Sequence, residues 1–213
     1  MEPIAVFLCD RTGAMAEPWA EAGITCYCVD IQHSIRKERV EGIIHFVWGD
    51  ARSWTPPAGH PIVFVAAFPP CTHVAVSGAK HFRAKGLGKL IEALEILNAC
   101  RKICEAADCP YMIENPISVF SSYWREPDYY FHPWQFTRFA LGDHYTKKSC
   151  LWTGGGFVMP EPCPDGTLAG IAPDDRIHKA PPSEDRGDIR SETPRGFCWA
   201  VFEANHHTQE GIR

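Results

Sequence analysis

The chain has 213 residues, 45% of them hydrophobic and 22% charged, which is ordinary globular usage and excludes a disordered chain. Its formal net charge is −5, so bulk charge advertises no polyanionic partner, and any nucleic-acid contact must come from a local basic patch. No apolar run approaches the ~20 residues of a membrane span, which leaves one large domain, 1–213, with a core of its own.

Taken in chain order, five compact apolar runs read as buried strands: 4–10, 24–30, 43–50, 61–68 and 110–115. They are rich in β-branched and aromatic residues, as central parallel strands tend to be. The first three end at Asp10, Asp30 and Asp50, about 20 residues apart, a rhythm that predicts βαβ units. The expected fold is therefore α/β, a mainly parallel sheet flanked by helices. A short helix is predicted over 15–22, ending at Gly23. A longer one is predicted over 87–107. Its stripe is Leu90, Leu94, Leu97 and Cys104, with Ile91, Ala93 and Cys100 beside it and Glu92, Glu95 and Lys102 facing away. The Pro-, Gly- and Asp-rich stretch from about 153 to 192 reads as a long surface excursion. A final helix is predicted over 197–204.

The ten cysteines need no disulfides in a chain of this size. Cys9, Cys26, Cys28, Cys100 and Cys104 lie in apolar segments and read as small hydrophobes in a reducing, cytoplasmic setting. The opening MEPIAVFLCD has no basic stretch and carries Asp10 early, so no secretory leader is expected. Cys26 and Cys28 read as core. Cys100, Cys104 and Cys109 lack a fourth compact ligand for zinc, so no metal is expected. Trp124, Trp134 and Trp152 could stack on bases, with core packing the default reading.

Two strand ends carry chemistry. Phe68-Pro69-Pro70-Cys71 closes the fourth strand, and its prolines fix the backbone that presents Cys71. A cysteine there can act as a nucleophile if positive charge or a helix N-terminus favours its thiolate, or it can be a structural thiol after a turn. Glu114-Asn115-Pro116 closes the fifth strand. A carboxylate in that place is costly unless paired or used, and desolvation would suit it to donate a proton; an Asn-Pro turn is the plainer reading. Ligands of open α/β sheets bind at the carboxyl ends of the strands, so these residues can converge on one substrate.

In order, Asp10-Arg11-Thr12-Gly13, Glu21-Ala22-Gly23, Val29-Asp30, Gly49-Asp50-Ala51, Phe68-Pro69-Pro70-Cys71 with Ser77-Gly78, and Glu114-Asn115 resemble the motifs of the cytosine-C5 DNA methyltransferases. The resemblance covers roughly residues 4–115, and the tail more loosely. It implies a Rossmann-like class I methyltransferase fold that binds S-adenosyl-L-methionine and releases S-adenosyl-L-homocysteine. Asp10, Thr12 and Gly13 match the loop near the methionine part. Asp30 matches the ribose-binding acid and Ile31 the residue packed on adenine. Asp50 and Ala51 match the adenine-contacting position, and Phe68, Pro69 and Thr193 complete the implied cofactor site. Cys71 matches the nucleophile that adds to cytosine C6. Glu114 matches the acid at N3 and the exocyclic amine, with Pro70 and Asn115 beside them. Amine methyltransferases instead carry Asp, Asn or Ser before the Pro-Pro and an aromatic after it; Phe68 and Cys71 favour carbon methylation.

The segment after Cys71 resembles the mobile loop that closes over a flipped base. Its Ser77, Lys80, His81, Arg83, Lys85 and Lys89 form an expected phosphate-facing patch, and Gly78, Gly86 and Gly88 would permit closure. The family's later arginine motif is not intact. Lys147 and Lys148 in 144–152 stand in its place, Lys147 toward nucleic acid and Lys148 at the catalytic site. Residues 190–197 resemble the segment before the family's last helix. Only 153–189 separates these late motifs, too little chain for the family's target-recognition domain, as in the short bacteriophage enzymes. The expected partner is therefore DNA, duplex or single-stranded, read with little sequence specificity and without a membrane. The oligomeric state stays open, with a monomer as the default. A free deoxycytidine nucleotide as substrate and a non-catalytic binding relative are the alternatives.

Overall fold

In chain order the strands are β1 (Ile4–Leu8), β2 (Thr25–Asp30), β3 (Arg39–Glu41), β4 (Ile44–Trp48), β5 (Ile62–Ala67), β6 (Tyr111–Pro116), β7 (Tyr129–Phe131) and β8 (Ser149–Gly154). The computed structural model describes residues 2–179 and 191–206. All eight strands join one sheet, in the order β3-β4-β2-β1-β5-β6-β8-β7. The predicted five, β4-β2-β1-β5-β6, pair in parallel, while β3, β8 and β7 add antiparallel pairings at the flanks.

Period-two alternation explains the layering. Ala5 and Phe7 of β1 face one core, with Phe64, Met15, Trp19, Phe197 and Val201. Ile4, Val6 and Leu8 face the other, with Val65, Ala93, Leu97, Cys100 and Cys104. Both faces of β1 are thus covered, which is why its sequence is a continuous apolar run. On the first face lie α1 (Glu17–Glu21) and, after the short helices α2 (Phe82–Lys85), α4 (Phe120–Tyr123) and α5 (Arg176–Lys179), the last helix, α6 (Arg195–His206). The other face is covered by α3 (Leu87–Ala106).

The α3 stripe is Ala93, Leu97, Cys100 and Cys104, with Leu90 and Leu94 partly buried beside it. Ile91, expected to flank the stripe, is exposed instead. It lies two residues from Ala93, about 200° round the helix. The loop expected after Cys71 is folded. A 3-10 turn, Val76–His81, leads into α2, and the Val76 N–H donates to the Ile117 carbonyl while the Val119 N–H donates to the Val74 carbonyl. Of its three glycines only Gly86 has a positive φ, 79°, where the chain turns from α2 into α3.

The excursion after β8 is pinned to the body. The Cys163 N–H donates to the Gln135 carbonyl, the Arg138 N–H to the Cys163 carbonyl, and the Thr146 N–H to the Asp174 carbonyl. The Asn205 side chain of α6 accepts from the Val158 N–H and donates to the Val158 carbonyl. Residues 180–190 of the excursion, with Arg190 of the late motif, lie outside the described residues, as does His207. His206 packs against Trp19 and Phe202. Trp152 is fully buried and Trp124 stacks on it, so this pair belongs to the core. Among the described residues no helix is long and apolar enough to cross a membrane.

Candidate active site at the carboxyl ends of the strands

The strand order reverses at β1, with β2 on one side and β5 on the other. The crevice beyond their carboxyl ends is the switch point where ligands of such sheets bind. The loop leaving β1 is built by Asp10. Its Oδ1 accepts from the Thr12 N–H, the Thr12 hydroxyl and the Gly13 N–H at 2.9, 3.1 and 2.8 Å. Burial pushes the Asp10 carboxyl above its ordinary range, against the pull of these donors. Asp10 is therefore occupied in shaping the loop, where a direct ligand contact was expected. Gly13 has φ 77°, and a Cβ there would stand 2.8 Å from the Phe46 ring, so this position needs its glycine.

The next strand ends make a different kind of surface. Asp30 is buried, with Oδ1 accepting from the Gln32 N–H at 2.7 Å. Its neighbour Ile31 is 58% exposed. Trp48, the register partner of Asp30 on β4, is 41% exposed. Two apolar side chains are thus left open beside a carboxylate, which fits one face of an adenine ring and a ribose diol. The sequence reading missed Trp48, because a tryptophan closing an apolar run looks like core. Asp50 differs from expectation. Its carboxylate is clasped by Arg52, with Nε 3.0 Å from Oδ1 and Nη2 2.6 Å from Oδ2, and this guanidinium pulls its pKa down. The expected adenine contact would have to come from elsewhere at this turn, and Ala51 is buried in the core.

β5 and β6 bring the two chemical motifs together. Val65, Ala66 and Ala67 pair with Tyr111, Met112 and Ile113, so Phe68-Pro69 and Glu114-Asn115 leave the sheet side by side. Asn115 locks them, its Nδ2 donating to the Pro69 carbonyl at 2.7 Å. Phe68 packs on the core, Pro69 is buried and Pro70 is exposed. Cys71 is half-buried, and its carbonyl accepts from the Val74 and Ala75 N–H groups. The Lys85 ammonium reaches the carbonyl of Thr72, which tethers a positive charge one residue from the thiol. Glu114 and Asn115 are buried, and Glu114 Oε1 and Asn115 Oδ1 have no hydrogen-bond partner among the described residues.

Burial takes several other thiols out of reaction. Burial pushes Cys26 up to about 12, and Cys150 up to about 11 with help from the nearby Glu114 charge. Cys28, Cys104 and Cys198 are pushed up by the same cause. Such thiols stay protonated and inert at neutral pH. Cys150 lies across from Asn115 in the register and is a neighbour of the site that the sequence reading did not flag.

The two lysines of the late motif part company. Lys147 was expected to face a phosphate, but it is buried, and its Nζ donates to the Glu192 carbonyl at 2.9 Å. A buried ammonium needs such an acceptor. The bond ties the start of β8 to the segment holding Thr193, itself buried before α6. Lys148 is exposed near the end of β6, with its Nζ 4.5 Å above the Tyr130 ring. Ser77, Lys80, His81 and Arg83 are exposed, and Lys89 pairs with Glu92 at 2.8 Å. The last helix returns to the first loop, where Arg195 meets Glu17 at 3.4 Å.

No protein-family model matches the chain, and no curated protein matches it.

Proposed function

We propose that the chain is a cytosine-C5 DNA methyltransferase of Rossmann-like class I fold, acting through a covalent bond between Cys71 and cytosine C6. One observation carries the reading. Glu114 and Asn115 hold buried, unpartnered oxygens at a strand end that is bonded directly to the Pro69 carbonyl of the cysteine loop. Leaving such oxygens unmatched costs stability, so they fit a ligand that brings its own donors. Cytosine offers its exocyclic amine and, when protonated, N3.

The chemistry follows from the residue types. C5 of cytosine is a weak nucleophile. Addition of the Cys71 thiolate to C6 makes C5 enamine-like, while Glu114 supports the charge that grows at N3. S-adenosylmethionine, when bound, supplies an electrophilic methyl group. The C5 proton then leaves to a base and the thiolate departs, restoring the ring. Lys85 beside Thr72 helps hold the thiolate, and the Asn115–Pro69 bond fixes the loop against the acid. Asp30 suits the ribose hydroxyls and Ile31 with Trp48 the adenine face, while Asp10 acts through the loop that it shapes. The strand order, with its reversal at β1, fits the same reading.

Labelled methyl transfer into duplex DNA, single-stranded DNA, RNA and free dCMP, followed by nucleoside analysis, tests the function. We expect 5-methylcytosine in DNA, most of it in single strands or distorted duplexes, where extruding a base is cheapest. Product in dCMP alone would move the assignment to the free nucleotide, and no product anywhere would reject both enzyme readings. Asp30→Ala should weaken cofactor binding about tenfold or more by calorimetry, as loss of a charged hydrogen bond does. An unchanged dissociation constant would remove Asp30 from the site.

A further inference from the structure

Beside the Cys71 loop lies a cavity of about 240 Å³ that the proposed chemistry does not use. Its walls include Phe82, Leu87, Leu90 and Tyr123. Leu87 is 70% exposed and Tyr123 62% exposed, a large apolar surface to leave facing water. Arg83, Lys85 and Lys89 stand around it. Lys85 and Lys89 already have acceptors in Thr72 and Glu92, whereas Arg83 makes no hydrogen bond or ion pair among the described residues. The amino end of the 20-residue helix α3 opens here too, with no side chain capping its first turn and no acid within it. His73 completes the lining, and its buried Nδ1 has no partner among the described residues. Burial and the charges of Lys85 and Lys89 push the His73 pKa down.

Apolar walls with an aromatic ring, a free guanidinium and an uncapped helix start are the two halves of a nucleotide-binding surface: a face for a base and donors for a phosphate. The geometry points to a second nucleotide subsite, in which the cavity takes the base next to the target cytosine and Arg83 with the α3 amino end takes its phosphate. This rests on the reading of the chain as a cytosine methyltransferase. His73 is two residues from Cys71, at most about 7 Å along the chain, so a strand whose cytosine meets Cys71 runs its neighbour into the cavity. The subsite would supply the short sequence context that a separate recognition domain supplies elsewhere.

Fluorescence anisotropy on the Cys71→Ala protein, which cannot turn over, isolates this contact. The probes are single-stranded oligonucleotides with one cytosine, its neighbours intact or abasic. Loss of the neighbouring base should weaken binding about tenfold. Tyr123→Ala should weaken the intact probe by a similar factor and erase the difference between probes. Arg83→Ala should lower the salt slope by about one. Leu87→Glu should block the site while favouring the helix, since Leu87 is exposed and an acid suits a helix start, and an unchanged melting temperature separates its loss of binding from unfolding. Equal binding of both probes by the protein with an intact cavity would overturn the subsite. So would unchanged binding in Tyr123→Ala and Leu87→Glu. Free dAMP that fills the cavity more tightly than the oligonucleotide, and is expelled by Leu87→Glu, would overturn the flanking-base assignment in favour of a free nucleotide. Binding of the expected kind by a protein that never methylates DNA would refute the chemistry and leave the subsite standing.

Discussion

Cys71→Ala should lower methyl transfer to cytosine by more than about a thousandfold, with cofactor binding unchanged. The size follows from the role. Without the thiolate, C5 has no enamine character, and the positioned acid and cofactor act on an unactivated carbon. The fold should tolerate the change, because Cys71 is only half-buried and its carbonyl, not its thiol, closes the following turn. A second readout separates chemistry from structure. DNA containing 5-fluorocytosine should form a stable adduct with the native protein, because fluorine cannot leave C5 as the proton does. The adduct should be absent from Cys71→Ala. Transfer that persists in the variant within about tenfold would refute the covalent mechanism.

Trp152→Ala should be the most damaging substitution away from the site. Trp152 is fully buried in β8, between β6 and β7. Its Nε1 donates to the Arg125 carbonyl at 2.8 Å, and its ring packs on Trp124 and Phe120 with centroids 6.0 and 6.2 Å away. Truncation removes a large apolar group, opens a cavity and orphans a carbonyl. Together these cost about 3–5 kcal/mol. For a domain of this size the melting temperature should fall by about 10 °C. Thermal unfolding followed by circular dichroism measures it, and a shift below about 2 °C would mean that the β8 side of the sheet contributes little to the cooperative fold. The same strand sets Ser149 and Cys150 against Pro116 and Asn115, so its loss should reach the site as well.

The sequence carried the parallel core because both faces of β1, β2 and β5 are covered. Burial on two sides forces continuous apolar runs, and such runs can be read without a partner in view. The helix 87–107 was legible for a similar reason, although Ile91 shows that one apolar residue beside a stripe says little about where it points. β3 and β7 have three residues each, too few to show a period, and β8 holds only three apolar residues, Cys150, Leu151 and Trp152, in a row. Their pairing is decided by neighbours far along the chain, and no local pattern encodes it.

The candidate site divides in the same way. Residue type and order, read from the chain alone, singled out Cys71, Glu114 and Asp30, because a cysteine after two prolines and acids at strand ends are chemical statements that need no coordinates. What those side chains can reach was settled only by tertiary structure. Asp10 and Lys147 have the same charge whether they meet a ligand or the chain itself, and folding turned both toward the backbone. Asp50 met Arg52, only two residues on, through a contact local to its turn. Trp48, the Asn115–Pro69 bond and the cavity at the start of α3 arise where segments distant in sequence meet, and only packing brings those segments together. Length, composition and charge had already set the frame of a real core and no bulk attraction for a polyanion. The cations Arg83, Lys85 and Lys89 already stood together in the sequence of a chain of net charge −5; the apolar cavity between them, closed by Val119 and Tyr123, is a property of the folded surface alone.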